Sequence, residues 1–389
     1  MAATRVPPSR DRDWWVDLAT RALFALMQQR GAVVWPEVEA VLSESPWLRT
    51  DFDPSLPLSF RLDRIHLSTA RGRLIRRGVI RTETVSLGGR AIPSYIFRPS
   101  LSYGARTATL RAAAAKRRLY RRFLTWAGDS RLCGSVAEHL VEAAMRRQAG
   151  LSLMVPRGVR FGRVTAMVGR PITVGGSLDG LGYWPTDPTN PVRQIPFAVE
   201  VKNLRDSVYP WDNELWDLLA KVAAFPEVVP VLVARRIHPI SYRMFRDIGA
   251  IGTNLDRQVF SDSIDEDEFR RVCSGLSFHN AARVNAATIE PGLEKFFAET
   301  GPRIVERSLA RWAVAAPIAA RVERLRRTDL PGHERRDLWR QFGAETMAAG
   351  LYTGGWARRL VPSTSDEWDE ADGGEEDWAD LDGDDESPI

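Results

Sequence analysis

Lysine is scarce in this chain, with four residues against fifty arginines in 389. One of the four, Lys202, stands two positions after Glu200 in the otherwise apolar run Phe197-Ala198-Val199-Glu200-Val201-Lys202-Asn203. Side chains alternate along a strand, so Glu200 and Lys202 share one face. Burying a carboxylate and an ammonium there is costly unless they pair or hold a metal. Upstream, Asp179 opens a second strand-like run that ends at Trp184, and a hairpin between the two runs would bring it within reach of Glu200. Two carboxylates beside a cation suit a hard divalent ion such as Mg²⁺, with positions left for phosphate and water. The inert alternative is an edge-strand ion pair on a solvated face.

The surrounding elements must bring these residues together. Helical spacing over 134–148 turns Val136, Leu140, Val141 and Ala144 inward, stops at Gly150 and leaves Glu138 and Glu142 one turn apart. A β-rich stretch over 159–168 precedes the Asp179 strand, and a Pro-rich loop leads to the Glu200 strand. Residues 213–224 read as a helix, Val228–Ala234 as a buried strand, and 241–260 as a helix, a turn and an edge strand. Lys221 and Glu214 could line the same cleft, although charges on a helix surface are more often solvated. Asn203 and Arg205 are candidate phosphate contacts.

Asp179, then Glu200-Val201-Lys202 on an apolar strand, with Glu138 on a preceding helix, resembles the PD-(D/E)XK nuclease superfamily over roughly residues 131–262. The order α-β-β-β-α-β is similar too. The resemblance implies that Asp179 and Glu200 bind Mg²⁺ (Mn²⁺ as a substitute), with the Val201 carbonyl as a further ligand. Lys202 would orient the attacking water and steady developing charge, and Glu138 would complete the site. The family's proline before the aspartate is Leu178 here.

Toward the N-terminus, helices over 14–29, 36–43 and 62–77 are followed by β-rich runs at Val79–Leu87 and Ala91–Phe97, with Gly88-Gly89-Arg90 between them as a hairpin signal. Three helices and a hairpin are the layout of a winged helix-turn-helix, whose third helix enters the DNA major groove while the wing touches the backbone or minor groove. Arg64, Arg71, Arg73, Arg76 and Arg77 on the third helix and Arg90 on the wing are then the nucleic-acid-binding candidates. A solvated basic face is the other reading. Residues 107–126 form a long basic helix whose arginines could track phosphates or only face water.

The net charge of +4 conceals a division, because residues 366–389 hold 13 of the 50 acidic residues and no basic residue follows Arg359. Residues 61–122 carry 16 basic residues against Asp63 and Glu83 alone, which points to a polyanionic partner, most simply DNA. Hydrophobic residues at 44% and charged residues at 27% describe a globular α/β (α+β) chain long enough for several domains. The expected order is a winged helix-turn-helix over 1–104, a basic linker helix over 105–130, a restriction endonuclease-like core over 131–262, a helical accessory region over 263–361 and a disordered acidic tail over 362–389. No run is long and apolar enough for a membrane span or a signal peptide, so a cytoplasmic protein is expected. Two cysteines and five scattered histidines exclude a disulfide framework and a structural zinc site.

These observations together lead to the expectation of a metal-dependent DNA endonuclease. Its pairing with a winged helix resembles Mrr-type restriction enzymes, which implies defence against foreign DNA; repair is open as well. The rivals are a non-catalytic DNA-binding regulator and a scaffold whose helical C-terminal region binds a protein partner. A homodimer would follow if both strands are cut. The tail either solvates the chain or folds back on the basic surface.

Overall fold

A computed structural model describes residues 12–57, 60–87, 90–97, 103–148, 152–153, 163–185, 194–285, 290–351 and 356. The expected tail over 362–389 lies outside them. The chain is mixed α and β and divides into two compact units. Among the described residues, one comprises 12–126 and 265–281 and the other 127–264 and 282–356. The division falls after 126 rather than at 104, and the stretch expected as a separate helical region from 263 is shared between the units.

In the first unit, α1 (Arg12–Arg30), β1 (Ala32–Val34), α2 (Trp35–Leu42) and α3 (Arg64–Arg76) precede the antiparallel pair β2 (Ile80–Leu87) and β3 (Arg90–Phe97). The short β1, which no pattern in the sequence announced, pairs antiparallel with β3 and completes a sheet of order β1-β3-β2. Asp63 starts α3 by accepting the Ile65 N–H at 2.9 Å. Gly78 ends the turn beyond it at φ +68, a conformation that favours glycine. Leu18, Leu23, Leu26, Leu67 and Leu74 share one core with Tyr95 and Phe97. Next comes α4 (Tyr103–Gly128), whose apolar edge is covered by the much later helix Glu266–Gly275 and the turn after it. Phe123 meets Phe278 edge-on at 4.6 Å, Trp126 faces Phe269 at 5.8 Å, and Lys116 Nζ donates to the Gly275 carbonyl.

In the second unit, α5 (Gly134–Arg146), β4 (Ser152–Leu153), the small hairpin β5 (Ala166–Met167) and β6 (Arg170–Pro171), β7 (Gly180–Pro185), β8 (Gln194–Lys202), α6 (Asn213–Val222), β9 (Val229–Ala234), α7 (Pro239–Ile248), β10 (Ile251–Asn254) and β11 (Gln258–Ser261) follow in order. After α8 (Glu266–Gly275) of the first unit, β12 (Ala281–Val284) pairs with β11, and α9 (Pro291–Lys295), α10 (Gly301–Arg321) and α11 (Gly332–Ala348) end the described chain.

The main sheet has the order β10-β9-β8-β7-β4, antiparallel from β4 to β8 and parallel from β8 to β10. The parallel half is joined by α6 and α7, as crossover connections require. Every residue of β9 is buried, as expected of a strand covered on both faces. Val199, Val201 and the odd-numbered residues of β9 pack with Leu140, Val141 and Phe297. Ala198, Leu232 and Ala234 pack with Leu218 and Leu219 of α6 and with Trp312, Trp339 and Trp356. The last helices are therefore part of this core. Among the described residues, no helix is long and apolar enough to cross a membrane.

Candidate active site

The β7–β8 register decides the geometry. Gly180 pairs with Val199, so Asp179 stands one residue ahead of β7 and opposite Glu200. Its backbone N–H still donates to the Val199 carbonyl at 3.1 Å. Beyond that point β8 has lost its partner, and the Asp179 carboxylate replaces it by accepting the Val201 N–H at 2.6 Å. A strand residue presents its N–H and C=O to the same side, so the Val201 carbonyl also faces this notch. Glu200 and Lys202 lie on the α6 side of the sheet with Ala198, as alternation requires.

Glu200 is only 4% exposed and lies between two lysines. Lys202 Nζ donates to Oε1 at 2.8 Å, and Lys221 Nζ, itself buried, approaches Oε1 at 3.2 Å and Oε2 at 3.3 Å. Lys221 also pairs with Asp217, one turn earlier on α6, at 2.7 Å. Gly175, at φ +75, lets the loop before Asp179 pass against this pair; a Cβ there would meet Asp217 Oδ1 at 2.9 Å. The sequence named Lys221 only as a charge more often solvated, and it did not single out Asp217. Their signal was a rare lysine four residues after an aspartate inside an apolar helix.

The charges press on one another. Burial, and after it the charge of Glu200, pushes the Asp179 carboxyl up to about 7, against the Val201 N–H that draws it down. Burial also raises Glu138 on α5, with the charge of Glu200 acting in the same direction and His139 opposing. Lys202 is held above its ordinary value because the charge and hydrogen bond of Glu200 outweigh the opposing effect of burial. Glu142, the other acid on α5, is occupied by Arg146 at 2.5 Å.

The donor set fits a hard divalent ion in its chemistry. Asp179 keeps one carboxylate oxygen without a partner among the described residues, and the Val201 carbonyl, on the same side of β8 as its N–H, faces the same notch. Burial, with the charge of Glu200 adding to it, disfavours the charged forms of Asp179 and Glu138, and a cation bound beside them would favour those forms again. Among the described residues, no group of three or more His, Cys, Asp or Glu side chains stands ready as a full cage. Mg²⁺ needs only one or two carboxylates and keeps several waters. For Glu200 to serve, its lysines must yield an oxygen.

Asn203 has a different task. It is buried, donates to the carbonyls of Cys133 at 3.0 Å and Val259 at 2.6 Å, and accepts the Val259 N–H at 3.0 Å. It ties the end of β8 to β11 and to the start of α5, and is not exposed for phosphate. Arg205 is half-buried.

The arginines of α3 are unevenly placed. Arg64 pairs with Glu39 at 3.1 Å, and Arg73 with Asp17 at 2.7 Å. Arg71 stacks 4.5 Å over the Trp35 ring and donates to the Tyr95 hydroxyl. Arg76 and Arg77 are exposed at the C-terminal end of α3. Arg90 opens β3, and its side chain lies outside the described residues. Compared with protein-family models, curated proteins and solved structures, the chain matches none.

Proposed function

We propose that this protein is a Mg²⁺-dependent deoxyribonuclease, its second unit a PD-(D/E)XK-like core and its first a winged helix-turn-helix that docks DNA. One observation carries the reading. Asp179, Glu200, Lys202 and the Val201 carbonyl meet in a single notch where β7 stops covering β8.

Asp179 and Glu200, with the Val201 carbonyl, would hold the ion, which when bound supplies Lewis acidity and a water of lowered pKa. Lys202, kept charged by Glu200, is placed to orient the attacking water and to balance the charge that develops as the water oxygen bonds to phosphorus and the P–O bond to the leaving sugar breaks. Lys221 holds Glu200 from the α6 side, and Glu138 adds a third carboxylate charge. One such site cuts one strand, so duplex cleavage would call for two copies. The likeness to Mrr-type enzymes supports a role in defence.

A second reading, a DNA-binding protein with an inert core, draws on the two lysines that already occupy Glu200. Incubation with supercoiled, linear and single-stranded DNA plus Mg²⁺ or Mn²⁺ decides between them. Cleavage should fall by about 100-fold or more in Asp179→Ala and in Lys202→Ala, as removal of one transition-state partner does in other enzymes. Binding without cleavage on every substrate would establish the second reading. Equal cleavage by the wild type and both variants would refute the site.

A further inference from the structure

Helix α4 contains seven basic residues and no acidic one. The structure separates them into two sets. Lys116 binds buried Glu37 at 2.5 Å, Arg117 binds Glu83 at 2.7 Å and the Ser94 hydroxyl at 2.8 Å, and Arg122 forms a forked pair with Glu268 at 2.8 and 2.7 Å. Arg106, Arg111, Arg118 and Arg121 are exposed, and their side chains have no hydrogen bond or ion pair among the described residues. At roughly 100° per residue, Arg111, Arg118 and Arg121 fall within an arc of about 80°, away from the face that buries Ala113, Arg117 and Phe123.

We propose that this outer stripe of α4, through Arg111, Arg118 and Arg121, takes the phosphodiester backbone of duplex DNA, while most arginines of α3 serve the fold of the unit. The proposal rests on the nuclease reading and says which surface receives its substrate. The three residues rise about 15 Å along the helix, a length over which one DNA strand sets roughly four phosphates. Arg118 and Arg121 are helical neighbours of like charge, an arrangement that is unfavourable until an anion lies across it.

Arginine abundance alone does not account for the stripe. Several exposed arginines elsewhere face local acids, Arg270 with Glu266 and Asp267, Arg321 with Glu345 and Arg324 with Glu334, whereas others such as Arg21, Arg147, Arg303 and Arg307 have no ion pair among the described residues; α4 carries no acid of its own to meet its outer stripe. Three of the five α3 candidates are likewise engaged, Arg64 with Glu39, Arg71 on Trp35 and Arg73 with Asp17. A merely solvated helix face would be expected to mix signs in the same way.

The full chain is titrated with a fluorescein-labelled mixed-sequence duplex in EDTA, so that nothing is cut, across a series of salt concentrations. In the triple variant Arg111→Gln, Arg118→Gln, Arg121→Gln, the slope of log affinity against log salt should become shallower by about 2.7, near 0.9 for each phosphate no longer neutralised. The weakening should be equal on a duplex of unrelated sequence, thermal unfolding should be unchanged, and the corresponding triple lysine variant should retain most of the slope. A Gln variant with wild-type affinity and slope would overturn this inference and leave the nuclease reading standing. A wild type with no salt-dependent DNA binding would overturn both.

Discussion

Asp179 performs three tasks at once: it prolongs the strand pairing of β8 through the Val201 N–H, it faces Glu200, and it pays for both by being hard to ionise. Its raised folded pKa means that the folded protein binds more protons than the unfolded chain between about pH 4 and pH 7, so stability falls as pH rises through that window. Asp179→Asn should therefore unfold at a higher temperature than the wild type at pH 8, with the difference gone at pH 4, in metal-free buffer. Added Mg²⁺ should raise the wild-type midpoint more at pH 8 than at pH 5 and the variant's much less, as scanning calorimetry would show. An equal Mg²⁺ shift in both proteins would remove Asp179 from the ligand set. Asp179, Glu200 and Lys202 were legible because strand alternation is local. Lys221 and Asp217 were not, because an amphipathic helix has the same pattern whether its polar edge meets water or a buried carboxylate.

At the scale of elements, most helices and strands followed from periodicity, with ends shifted by one to a few residues; the third helix, for example, runs Arg64–Arg76 where spacing suggested 62–77. The strand β1 escaped because three residues are too few to show a period. What spacing could not show is that α8 covers α4. Phe278 is almost fully buried against Phe123, and Gly275 lies so close to Leu119 that a Cβ would come within 2.5 Å of its side chain. Phe278→Ala should cost about 3 kcal/mol through the cavity it leaves. Urea unfolding followed by the fluorescence of the first unit measures it, and no change in midpoint would show that α8 packs there without stabilising.

For the molecule as a whole, the first unit is assembled from stretches 138 residues apart in the chain, ending at 126 and resuming at 265. A fragment of residues 1–104 lacks nearly all of α4, and with it Lys116 and Arg117, which share Glu37 with Arg30 and Glu83 with Arg81. It should resist limited proteolysis less than the same stretch in the full chain, since the face of Ala32 and Ile96 that Ala113 of α4 covers is laid open. Equal resistance would show residues 1–104 to be a complete folding unit.

The sequence by itself determined the alternating and helical segments, the basic excess over 61–122 and the few charges set on apolar strands, because these depend on residues close together in the chain. Only the tertiary structure decided which of those charges are used up. The same arginine is a strut when an acid from another element reaches it, as Glu83 reaches Arg117, and a free cation when none among the described residues does, as on the outer face of α4. That choice depends on which distant segment packs nearby, and no spacing along the chain records it.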